Sequence, residues 1–182
     1  MSALEPLVGE HLAIDLVNTR PAGADLVGTA EQLAQWLRLQ EHRLPETFAE
    51  PGEAEVRAVQ EVRDHVAAAL TALRHGERPP GAALRGLAAA LSAAPAVRHL
   101  AWDGARCVTR TRREGTASAR LAAVLADAAV DLLTDPAVDR LRQCAAEDCV
   151  MLFVPAHPRR QWCSPERCGN RARVARYYQR HK

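Results

Sequence analysis

Cys144-Ala-Ala-Glu-Asp-Cys149 and, thirteen residues on, Cys163-Ser-Pro-Glu-Arg-Cys168 decide how this chain is read. Two cysteine pairs with the same internal spacing present four thiolates to one tetrahedral zinc ion, at Zn–S distances of about 2.3 Å. A gap of four lies at the long end of the range for such knuckles. Disulfides are the competing reading. Residues 1–10 hold no basic cluster and no apolar segment, so a secretory leader is not expected. Disulfides are rare in the cytoplasm, which is the location expected here. The expectation is one structural Zn2+ held by Cys144, Cys149, Cys163 and Cys168. Cys107 lies 37 residues upstream of the first ligand and reads as a core thiol. His157 is not needed by a shell that four thiolates complete.

The residues around the pairs supply a scaffold. Val150-Met-Leu-Phe-Val154 suits a short strand. Ser164-Pro165-Glu166 reads as N-cap, first helical residue and first-turn acid. Knuckle, strand and a second pair at a helix start make a small treble-clef-like finger. The helix runs from Pro165 to about His181. Val174, Tyr177 and Tyr178 fall at i, i+3, i+4 and are predicted to face the body or a partner. Arg173, Arg176 and Arg180 fall at i, i+3, i+7 on another face, with Arg171 between. Guanidinium forks match phosphate oxygens and guanine edges, and a helix fits the ~12 Å major groove. The candidate DNA contacts are therefore Arg171, Arg173, Arg176, Arg180 and Asn170, although Asn170 also suits a hydrogen bond across the zinc knuckle. The competing reading is a solvated face, because the whole chain carries 23 arginines and a single lysine.

Charge separates this segment from the rest. Residues 144–182 carry eight basic side chains against three acidic ones, a net +5, while residues 1–143 sum to −3. A basic terminal module on an acidic body points to a polyanionic partner for the tail. The division expected is 1–143 and 144–182. Charged residues make up 25% and hydrophobic residues 48% of the 182-residue chain, a globular balance rather than a disordered one. No run of ~18 apolar residues is present to span a membrane.

The body reads as helices around one hairpin, which makes the fold class α+β. Thr29 and Gln32 form a capping box, with Leu33, Trp36 and Leu37 behind it in a helix ending near Gln40. Pro51 suits the first turn of a second helix, whose stripe is Val56, Val59, Val62, Val66, Leu70 and Leu73 before Gly76. A shorter helix is expected from Ala82 to Leu91. Val97–Trp102 and Ala105–Arg113 flank Asp103-Gly104, a two-residue hairpin signal, with Cys107 on a half-buried strand. Leu121, Val124, Leu125, Ala128 and Leu132 mark another helix, and Asp135-Pro136 starts a short one to about Gln143. Residues 11–20 fit strand and helix equally. If helical, Asp15, Asn18 and Thr19 share one side and are candidates for binding a small-molecule effector. The alternative is that Asn18 and Thr19 cap a turn before Pro21.

Trp162-Cys163-Ser164 followed by Cys168-Gly169-Asn170-Arg171 resembles the CGNR zinc-finger family. His11 to Arg20, with its Leu-Ala-Ile-Asp-Leu-Val-Asn-Thr core, is similar to the opening of the ABATE domain that precedes this finger in bacterial proteins. The resemblance implies stress-induced transcription regulation, with DNA bound by the finger and a signal or partner sensed by the N-terminal domain. The loop from Val154 to Gln161 departs from the family pattern: it is about two residues short and lacks the expected Asp and Ser. No P-loop, glycine-rich fingerprint, paired-carboxylate or Ser/His arrangement stands in the sequence, so no enzyme is expected. The alternative to a DNA-binding regulator is a zinc-stapled interaction module that binds a protein partner, or a second copy as a homodimer.

Overall fold

His11 starts the first helix. In the computed structural model, which describes residues 5–48 and 50–180 (backbone only at 176, 179 and 180), helix α1 spans Leu12–Val17. The His11 ring accepts the Ala13 N–H at its N-terminus. Leu12, Ala13, Ile14, Asp15 and Leu16 are all buried. A short helix enclosed on every side needs no polar face, so its sequence carries neither the helical nor the strand period.

Helix α2 (Ala30–Leu39) opens on the expected capping box: Thr29 Oγ1 accepts the Gln32 N–H, and Gln32 Oε1 accepts the Thr29 N–H. Helix α3 (Glu53–Arg74) begins after Gly52, whose N–H is accepted by Glu55. Pro51 therefore precedes the helix instead of occupying its first turn. Gly76 ends it with φ of 72°, a left-handed conformation that suits glycine. Helices α4 (Gly81–Ala93) and α5 (Ala117–Thr134) pack on α3 and on each other, and α1 lies against α3 and α5. The close approach of α4 to α3 needs Gly86, because a Cβ there would sit 2.1 Å from the His65 ring.

The hairpin forms, displaced by one residue from the expected turn. Strands β1 (Ala96–Trp102) and β2 (Cys107–Arg113) pair antiparallel, with Trp102 opposite Cys107. Asp103 then faces Arg106 across the turn, leaving Gly104 and Ala105 at the tip; Asp103 N donates to Arg106 O at 3.1 Å. The Asp103 side chain decides this, since its Oδ1 accepts the N–H groups of both Ala105 and Arg106. Cys107 is exposed, not a core thiol. Both strands are largely exposed, because the helices bury their apolar stripes on one another and leave the ribbon uncovered.

The short helix expected up to Gln143 is a single 3₁₀ segment, Pro136–Arg140, capped by Asp135. Leu141 then turns extended, which buries its side chain and aligns β3 (Arg142–Gln143) antiparallel to β4 (Leu152–Phe153). Leu152 joins the core formed by the helices, whereas Phe153 is buried among the cysteines. No helix is long and apolar enough to cross a membrane, among the described residues.

One ion pair pins the segment after α1 to α3. Arg63, 1% exposed, donates to both oxygens of Asp25 at 2.7 and 2.6 Å and to Thr19 Oγ1 at 2.9 Å. The Arg63 hydrogen bonds hold the Asp25 carboxyl below its usual range. A carboxyl that titrates lower when folded contributes stability above its unfolded value, near ~4, and loses it as pH falls through the folded value. Asp25→Ala leaves the buried guanidinium with Thr19 alone. It should cost about 3 kcal/mol in urea unfolding at pH 7, and the gap from the parent should narrow below about pH 4.

Candidate metal centre and nucleic-acid interface

The first cysteine pair is shaped by the β3–β4 turn. Cys144 N donates to Met151 O, and Cys149 N donates to Ala146 O, with Asp148 at φ 59° between them. Gln143 Nε2 donates to Cys149 O at 3.0 Å. Cys163 precedes a π-helical turn, Pro165–Gly169, and Cys168 lies within it; Gly169 N donates to Ser164 O. Ser164 Oγ accepts the N–H groups of Glu166 and Arg167, the expected cap. Cys163 N donates to Cys144 Sγ at 3.3 Å and ties the pairs together.

The four sulfurs lie within 4.8 Å of one another. Cys149 and Cys163 are 3.9 Å apart, Cys163 and Cys168 3.6 Å, and Cys149 and Cys168 3.7 Å. A tetrahedron with Zn–S of about 2.3 Å has edges of about 3.8 Å; the three edges among Cys149, Cys163 and Cys168 match it, and Cys144 closes the set within 4.8 Å. A disulfide would need about 2.05 Å. Burial pushes the Cys149 thiol up to about 11 and raises Cys163 as well. Burial acts against the Cys144 thiolate too, but N–H groups from Ala146 and Cys163 outweigh it and lower that thiol. Clustered buried thiolates repel, and a dication reverses that balance. Cys144, Cys163 and Cys168 are buried and Cys149 half-buried, a closed shell of the structural kind.

The tetrapeptide after Cys168 supports this centre. A Cβ on Gly169 would lie 2.9 Å from the Trp162 ring, so the indole of the second knuckle requires glycine there. Arg171 turns back on the centre: its NH2 donates to Glu147 O at 3.1 Å and lies 3.7 Å from Cys168 Sγ. Asn170 does not bridge the knuckle. Its Oδ1 accepts from Arg173 NH2 at 2.6 Å, one turn along helix α6 (Asn170–Arg180). Val174, Tyr177 and Tyr178 are exposed, so they do not face the body. Along α6, Asn170, Arg171, Arg173, Ala175 and both tyrosines are exposed, while Arg171, Ala172 and Ala175 border a groove shared with Ala145, Glu147 and Trp162 of the knuckles. The side chains of Arg176 and Arg180 lie outside the described residues.

Asp15, Asn18 and Thr19 are all buried, and their hydrogen bonds are made within the chain. Asp15 accepts the N–H groups of Gly9 and Glu10, Gln40 Nε2, and Arg43 NH1 at 2.6 Å. Thr19 donates to Leu16 O and accepts from Arg63. Asn18 caps α1, yet its side chain reaches much further. Nδ2 donates to Leu152 O at 2.9 Å and Oδ1 accepts the Leu152 N–H at 2.8 Å. The motif that opens the body thus grips β4 of the finger.

Sequence reasoning missed the residues that weld the two regions. Glu10 accepts from Val154 N and pairs with Arg160 at 2.6 Å. Arg160 also donates to Trp162 O and Cys163 O and stacks over Phe153. It lies in the loop that departs from the family pattern, and in an arginine-rich chain no spacing distinguished it. Arg43 is similarly silent in sequence, although it donates to both Asp15 and Glu10 O.

Residues 10–136 match the ABATE family model, described as "Putative stress-induced transcription regulator". Residues 140–181 match the CGNR zinc finger. These are regulator and zinc-finger types rather than enzymes. No curated protein matches the chain. The CGNR match and the four-sulfur geometry together support one structural zinc ion.

Purified protein is expected to carry one zinc per chain, and Cys163→Ser to lose it, because structural zinc contributes folding free energy directly. Since Leu152 belongs to the body's core, metal loss should also lower the thermal midpoint of the helical body, read by circular dichroism before and after chelation. Asn18→Ala strands two buried backbone groups of Leu152 and should cost about 2–5 kcal/mol. Amide exchange at Leu152 should rise with it; unchanged protection there would show that the amide clamp is dispensable.

Proposed function

The chain belongs to the ABATE family and carries a CGNR zinc finger, and from that premise we propose that it is a DNA-binding transcription regulator. Residues 144–182 contact duplex DNA through α6, and residues 1–143 receive a signal, whether a small-molecule effector or a partner. The observation that carries this reading is the exposure of α6. The described side chains of the helix are largely exposed, and among the described residues Arg173 has only Asn170 of its own helix as a partner. Arg173, Arg176 and Arg180 meet phosphates or base edges. Asn170 positions Arg173, and Arg171 supports the zinc knuckle first. A four-thiolate shell offers no open position to a substrate, which favours a structural metal over a catalytic one. The thiol chemistry suits the reducing cytoplasm.

The exposed Val174, Tyr177 and Tyr178 favour a second reading, an interaction module that docks a protein or a second copy of the chain. A salt titration separates the two. Each phosphate contact contributes about −0.9 to the log–log slope of affinity against salt on duplex DNA. Replacing Arg173, Arg176 and Arg180 together by alanine should therefore flatten the slope by about 2.7, with zinc content unchanged. Equal binding by parent and variant would hand the function to the interaction module.

A further inference from the structure

The charge sum of the body conceals a second basic element. Residues 96–113, the hairpin, contain Arg98, Arg106, Arg110, Arg112 and Arg113 against Asp103 alone, a net +4, so the rest of residues 1–143 carry −7. Two of these arginines are occupied. Arg113 anchors the base of the ribbon by donating to Ala94 O and pairing with Asp127 on α5. Arg106 lies 3.7 Å from Asp103 in the turn. Arg98, Arg110 and Arg112 meet no carboxylate among the described residues.

Nothing in the fold calls for this composition. The register sets Val97 opposite Arg112 and His99 opposite Arg110 on one face, and Arg98 opposite Thr111, Leu100 opposite Thr109 and Trp102 opposite Cys107 on the other. Leu100 is 77% and Trp102 65% exposed on one face and Val97 46% on the other, so neither face is buried against the body. Arg110 and Arg112, two residues apart on one face with His99 beside them, repel each other and weaken the ribbon by themselves. Arg110 and Arg112 also line a groove of about 550 Å³ closed by Pro45, Glu46 and Arg120. A stiffly anchored ribbon that keeps unneutralised arginines and an exposed indole is built to meet an anion from outside.

We propose that the β1–β2 hairpin is a second DNA-contacting element, in which Arg98, Arg110 and Arg112 bind phosphates of the duplex and Leu100 and Trp102 pack against its sugars or bases. The inference takes DNA as the partner from the function proposed above. A two-stranded ribbon fits the major groove as a helix does. Repeated guanidinium groups on a ribbon match a repeated phosphate better than they match an apolar protein face. The −7 of the surrounding body turns the rest of the surface away from the duplex and confines contact to the ribbon and α6.

The test measures binding of the zinc-loaded full chain to a duplex of mixed sequence across a salt series. Replacing Arg98, Arg110 and Arg112 together by alanine should weaken binding and flatten the log–log slope by about 2.7. The matching triple lysine variant keeps the charge and should keep most of the slope. These side chains are exposed, so zinc content and circular dichroism should not change. Trp102→Phe should remove the part of the DNA-dependent fluorescence change that neither the buried Trp36 nor Trp162 of the finger supplies. Parent-like affinity and slope in the alanine variant overturn the inference, and if the α6 variant is weakened in the same series the DNA-binding reading stands without it. Loss in the hairpin variant with none in the α6 variant supports the ribbon and removes the role given to α6. A parent that binds no duplex overturns both. A hairpin variant whose self-association changes while its DNA affinity does not marks the ribbon as an interface between copies and also overturns the inference.

Discussion

The side-chain amide of Asn18 satisfies both backbone groups of Leu152, 134 residues away in sequence, and the placement of the metal module follows from that pair. Asn18 can do this only because α1 is held inside the body, where Asp15 collects two backbone N–H groups, Gln40 and Arg43. An amide is suited to the task, since one side chain supplies a donor and an acceptor in the geometry of a neighbouring strand. An apolar residue at position 18 would leave two buried polar groups unpaired. The finger is thus docked through backbone recognition as well as apolar packing, in contrast to a module on a flexible tether.

A second polar chain runs beside the first. Arg43 joins Asp15 to the carbonyl of Glu10, the Glu10 carboxylate pairs with Arg160, and Arg160 donates to the carbonyl of the ligand Cys163. Every link is charged or meets a charged group, which makes these hydrogen bonds stronger than neutral ones. Arg160 further lies 4.4 Å from the centre of the Phe153 ring, so the same guanidinium serves both the packing and the polar contacts of the finger.

Features with a local cause were legible in the sequence. The capping box at Thr29 and Gln32, the stripe of α3, the hairpin and the cysteine spacing each depend on residues a few positions apart. What could not be read depends on distant partners. α1 has no period because all its sides are covered, and the candidate ligand residues Asp15, Asn18 and Thr19 are polar because they answer buried groups elsewhere in the chain. Cys107 reads as a core thiol because it stands outside the pairs, and as half-buried because its strand alternates, yet alternation indicates burial only when something covers the strand. The turn slipped by one residue because the Asp103 carboxylate, not Gly104, sets its hydrogen bonds. The position of Arg171 shows the same limit. Helical spacing placed it between two faces, and the partner that claims it, the carbonyl of Glu147, lies on the other knuckle.

Linkage sets what this architecture means for the metal. β4 belongs to the finger through Phe153 and to the body through Leu152, so neither region can lose its structure without exposing groups of the other. Whatever free energy the bound metal adds to the docked state, the docked body must return to metal affinity, because the two equilibria share one folded form. Zinc binding by an isolated finger includes the cost of ordering its own knuckles. Here Asn18 and Arg160 already hold the β4 strand and the Cys163 carbonyl in place, so part of that ordering precedes the metal. Four thiolates close together still require a dication, but the geometry that receives it is prepared in part by Asn18 and Glu10, near the opposite end of the chain, the latter acting through Arg160.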